Sequence, residues 1–86
     1  MAHEQFPLHR QLIGGAHYYR IEGEQKFLEL QRIGKRWVRY EVLATAYPEW
    51  VRIQEMITDT ERFHDLSEAE WSIAWIASGE HRRAGC

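Results

Sequence analysis

Arg32, Lys35, Arg36, Trp37 and Arg39 crowd into eight consecutive residues, and that mixture of cations with an indole has a definite chemistry. Guanidinium and ammonium groups on a sheet face hold phosphates or carboxylates, and an exposed aromatic ring stacks on a base. Between residues 26 and 40 only Glu29 stands against these four cations and Lys26. A solvated sheet face has the same look. Glu29 and Glu41 flank Arg39 and the chain carries a net charge of −2, whereas a nucleic-acid module is basic with its cations clustered. Binding of nucleic acid or an anionic ligand through residues 32–40 is therefore the alternative reading.

The remaining reactive side chains form no catalytic pattern. His3, His9, His17, His64 and His81 include no pair at helical spacing, and there is no second cysteine to complete a zinc set. No metal and no cofactor is expected. A nucleophile needs a base in reach, but Ser67 reads as a helix cap, Ser72 and Ser78 fall inside a helix, and Cys86 is the last residue. Gly14-Gly15 lacks the later glycine and lysine of a phosphate-cradling loop. Glu22 and Glu24 bracket a glycine and read as a solvated turn. The sequence points away from an enzyme.

These groups must be carried by one small domain. At 86 residues, a chain of this size leaves about two fifths of its unfolded surface exposed, which makes a deep cleft hard to build. With 44% hydrophobic and 13% aromatic residues it has the profile of a packed globule. Charge is divided along the chain: residues 1–47 hold seven Lys/Arg and five Asp/Glu, a net of +2, while residues 48–80 hold two and eight, a net of −6. Such polarity favours self-association or a polarised contact surface. The single cysteine suits a reducing compartment, and residues 1–16 contain no continuous apolar block, so the expected location is cytoplasmic, with no membrane contact.

The chain divides into an N-terminal arm (1–16), ending at Gly14-Gly15 and docking through Phe6, Leu8 and Leu12, then one domain (17–79), then a tail (80–86). The expected class is α+β: a small antiparallel β-meander of three to five strands packed by a capped C-terminal helix. HYYRIE (17–22) reads as a strand, and KFLELQRI and RWVRYEVL as a hairpin around Gly34. If core and solvent residues are not to mix, parity selects a three-residue loop, Ile33-Gly34-Lys35, pairing Leu30 with Val38, Leu28 with Tyr40 and Glu29 with Arg39. One face then carries Leu28, Leu30, Val38, Tyr40 and Val42, and the other Phe27, Glu29, Gln31, Trp37, Arg39 and Glu41. Residues 48–57 fit a short helix, with Pro48 at its start, or a further strand followed by a turn at 58–61 and a strand in RFHDL.

The C-terminal helix is the clearest element. Ser67 and Glu70 stand at capping-box spacing, and Leu66 and Trp71 at the spacing of a hydrophobic staple. Gly79 is the expected terminator, after Ser78, with His81, Arg82 and Arg83 beside the negative end of the dipole. Trp71, Ala74 and Trp75 form one apolar stripe, while Ile73, Ile76 and Ala77 lie largely opposite. One sheet covers only one of these. The leading expectation is a non-catalytic interaction domain that self-associates, presenting aromatic and charged surface to a protein partner or to a second copy, with Trp50, Ile73, Trp75 and Ile76 as interface candidates.

Overall fold

The computed structural model describes residues 6–84, and their side chains over 6–79. Five strands and two helices follow in the order β1 (Leu8–Leu12), β2 (His17–Ile21), β3 (Lys26–Ile33), β4 (Arg36–Leu43), α1 (Tyr47–Thr58), β5 (Phe63–Asp65) and α2 (Glu68–Ala84). The strands form one antiparallel sheet in the spatial order β4-β3-β2-β1-β5. This is the α+β meander with its C-terminal helix packed on the sheet. The segment 8–12, expected within an arm, is instead a strand between β2 and β5, while Phe6, Leu8 and Leu12 do pack on the core. Gln11 shows why: it pairs with Tyr18 of β2 on one side and His64 of β5 on the other, partners that a local reading of MAHEQFPLHRQLIGGA cannot see.

Both helices are crossovers, and this decides which side chains are buried. β4 and β5 are the two edges of the sheet, so the chain must traverse four inter-strand gaps to pass from one to the other. That is about 19 Å, close to the roughly 18 Å of a twelve-residue helix. α1 makes this crossing, with Pro48 in its first turn. It lays Ile53 and Met56 on a cluster of Tyr19, Ile21, Phe27, Ala44 and Phe63. Asp59 stops it by accepting from the amides of Glu61 (3.1 Å) and Arg62 (3.2 Å) and turns the chain into β5. Residues 48–57 are thus helical, and the short strand in RFHDL is present as well.

α2 returns over the opposite face. It starts where Leu66 N–H donates to the His9 carbonyl (3.2 Å) and ends over β4. Its capping box is formed: Glu70 N–H donates to Ser67 Oγ (3.0 Å) and Ser67 N–H to Glu70 Oε1 (3.3 Å). Leu66 and Trp71 are buried together with Leu30 and Ala74, completing the staple. The expected stop at Gly79 is corrected, since the helix continues to Ala84. The side chains of His81, Arg82 and Arg83, and all of Cys86, lie outside the described residues.

With a helix on each face, the hairpin register differs from the expected one. Leu30 pairs with Arg39, Gln31 with Val38 and Leu28 with Glu41 across a two-residue Gly34-Lys35 loop. Gly34 has φ +65° and no described non-glycine residue, Lys35 included, has positive φ, the pattern of a II′ turn, which needs positive φ only at its first central residue. The three-residue loop rested on keeping Arg39 away from Leu30. That premise fails because Arg39 lies under α2, where a helix satisfies its charge. Leu28 and Leu30 consequently share a face with Trp37, Arg39 and Glu41, while Val38, Tyr40 and Val42 join Phe27 and Glu29 on the α1 side.

Candidate interaction surface

Arg39 is the residue through which β4 holds α2. Its Nε donates to Ser78 Oγ (2.5 Å) and its Nη2 to the Trp75 carbonyl (2.7 Å), while the guanidinium carbon lies 3.7 Å from the Trp75 ring centroid. Ser78 Oγ in turn donates to the Trp75 carbonyl (2.7 Å). Gly79 makes the close approach feasible: a Cβ at that position would stand 2.6 Å from Arg39 Nη2. Trp75 also stacks on Trp71, centroids 5.7 Å apart. A cation placed by sequence on a binding hairpin thus serves the interior of the fold.

The other hairpin residues do not make one patch. Arg32 and Trp37 project on the α2 face, Arg36 on the opposite face, and Lys35 occupies the turn. Trp37 packs on Tyr18 at 4.7 Å, with Arg32 over its ring at 5.8 Å. Exposed cations remain at Arg32, Lys35 and Arg36, but the indole meant to stack on a base is half-buried against tyrosine. On the same strand pair Glu41 is held by Lys26 at 2.9 Å.

The four interface candidates separate in the same way. Ile73 is 70% exposed and Ile76 58% exposed, so the outer stripe of α2 is wet in the single chain. Trp75 is turned inward onto Arg39. Trp50 is 47% exposed with its indole N–H donating to the Ala44 carbonyl (2.7 Å), which seats it at the far end of β4. Tyr40 and Leu43 on β4 are exposed too. Among the described residues no strand lies beyond β4. Its eight residues therefore form an open edge, flanked by exposed aromatic and aliphatic side chains and overhung by α2. Open edges of this length are templates for another strand.

A second cluster, unforeseen from the sequence, lies on the α1 face. His17 Nδ1 and Glu29 Oε2 are 3.0 Å apart, the imidazole stacks on Tyr19, and the Tyr19 hydroxyl accepts from Arg52 (3.1 Å). Burial, with Glu29 adding, pushes the Tyr19 phenol above its ordinary pKa, so it stays protonated. Beside it Phe27, Glu29, Val42, Pro48, Glu49 and Arg52 line a shallow hollow of about 310 Å³. A carboxylate that orients an imidazole can make it a proton acceptor, but no Ser, Thr or Cys belongs to this group. Only the correct β2–β3 register, which sets Tyr19 opposite Glu29, reveals the cluster; residues twelve apart in sequence give no local signal.

No group of three or more potential metal ligands occurs among the described residues, and no helix there is long and apolar enough to cross a membrane. Comparison of the chain with protein-family models, with curated proteins and with solved structures finds no match in any of the three.

Proposed function

We propose that this protein is a non-catalytic interaction module of the cytoplasm that associates with a second copy of itself through the β4 edge and the outer stripe of α2. The observation that carries this reading is the coincidence of the two surfaces. α2 packs over the edge strand, its outer residues Ile73 and Ile76 are exposed, and the strand beneath it has no neighbour on its open side among the described residues. A partner strand at that edge brings a partner helix over the same face, and each supplies the cover the other lacks. The single cysteine in the sequence supports a reducing location.

Sedimentation equilibrium between about 1 and 100 μM, a range spanning common homodimer affinities, tests the reading. A dimer is expected, and Ile73→Glu combined with Ile76→Glu is expected to give a folded monomer, since both residues are exposed in the single chain. A wild-type monomer at the highest concentration refutes it. The hairpin alternative predicts amide shifts at residues 32–40 on adding short oligonucleotides, reversed by salt. The withdrawal of Arg39 and Trp37 from solvent leaves that reading with weaker support.

A further inference from the structure

The backbone of β4 restricts the registers in which two copies can join antiparallel. Ala44 N–H donates to the Gln25 carbonyl (2.7 Å), and in an antiparallel ladder the residues whose backbone groups face a given neighbour alternate. Ala44, Val42, Tyr40, Val38 and Arg36 therefore turn their backbone toward β3, and Trp37, Arg39, Glu41 and Leu43 turn theirs toward the open side. A second β4 can bond only if outward residues meet outward residues, which puts the two-fold axis on a residue and not between two. With the axis on Arg39, two guanidinium groups face each other, and each is held in place by Ser78 and Trp75. On Glu41, two carboxylates face each other. On Val38 or Val42, about half of β4 has no partner.

We propose that two copies pair β4 with β4, antiparallel, on a two-fold axis at Tyr40. This rests on the self-association reading above and adds its register. Arg39 then lies opposite the partner's Glu41 and Glu41 opposite the partner's Arg39. Val38 meets the partner's Val42 and Trp37 meets the partner's Leu43, so charge meets opposite charge and apolar meets apolar from Trp37 to Leu43. The two Tyr40 side chains face each other on the axis in a pair without backbone bonds, the closer of the two antiparallel spacings. The two five-stranded sheets become continuous. An axis perpendicular to the sheet keeps both α2 helices on one side, each over its own β4, where Ile73 and Ile76 fill the space between them.

Cysteine capture tests the register in a Cys86→Ser background. On the axis, the Cα atoms of Tyr40→Cys stand about 4.5 Å apart, within disulfide reach. Glu41→Cys sits opposite the partner's Arg39, leaving its own two copies about 8.5 Å apart, beyond reach. Mild oxidation is expected to link Tyr40→Cys about tenfold faster than Glu41→Cys, and a mixture of Val38→Cys with Val42→Cys to give a linked heterodimer. The mixture keeps Tyr40 and guards against a dimer weakened by its loss. If sedimentation gives a dimer but Glu41→Cys links instead, or neither Tyr40→Cys nor the valine mixture links, the register is overturned while self-association stands. A monomer throughout overturns both.

Discussion

Arg39 shows how one side chain reassigns a whole strand. A guanidinium that donates to a hydroxyl and a carbonyl while lying on an indole satisfies its charge away from bulk water, which a lysine in its place would not reproduce. Arg39→Met is expected to cost about 2 kcal/mol in urea unfolding, from lost charged hydrogen bonds and cation–π contact. Gly79 is coupled to it. In a helix, Gly→Ala ordinarily gains about 1 kcal/mol, but in the wild type the new methyl would collide with Arg39 Nη2. Gly79→Ala is therefore expected to be neutral or destabilising in the wild type and stabilising in Arg39→Met, a double-mutant coupling of about 1 kcal/mol or more. His9 offers a second test. Burial, then Arg20 and to a smaller extent Arg10, lower its pKa from 6.5 against an opposing pull from Glu68, and its ring packs 5.8 Å from Trp71. Acidification through that range protonates the unfolded chain more readily than the folded one. Stability contributed by neutral His9 is thus complete above about pH 6.5 and falls below it. Melting midpoints at pH 7.5 and 5.5 are expected to differ less in His9→Phe than in the wild type.

At the level of elements, the most local features were the most legible. Ser67, Glu70, Leu66 and Trp71 form the capping box and staple at the spacing the sequence displays, because those bonds close within one helical turn. Ser67→Ala is expected to cost about 1 kcal/mol, a fall of about 5 °C in melting midpoint for a domain of this size; an unchanged midpoint removes the cap from the account. Gly34 followed by Lys35 also carried the right turn, a II′ loop, but the polarity of Arg39 argued against it. That argument assumes one dry and one wet face, and it fails for a sheet covered on both. β1 was illegible for a related reason: LHRQL has weak strand alternation, and its place between β2 and β5 depends on partners later in the chain, the β5 ones more than fifty residues away. The candidate site divides the same way, since Ile73 and Ile76 could be read as an outer stripe, while the inward turn of Trp75 and the pairing of His17 with Glu29 depend on register.

For the whole molecule, the two crossovers explain both what is buried and what is left open. α1 carries the chain from β4 to β5 over one face and α2 carries it back over the other, so the described chain closes its core twice and finishes above the edge from which it left. If a second copy covers that edge, the melting midpoint is expected to rise with protein concentration by mass action, and the Ile73→Glu, Ile76→Glu double variant to melt at the same temperature at every concentration. The amino-acid sequence alone determined the class of fold, the hairpin, the capped helix and the apolar excess on its outer side, because each of these follows from patterns within one or two turns of chain. Tertiary structure alone decided that Arg39 is structural, that β1 lies inside the sheet, and that α2 packs over a strand open on one side. Those outcomes depend on which distant elements cover a residue, and cover is a property of the packed whole that no local spacing encodes.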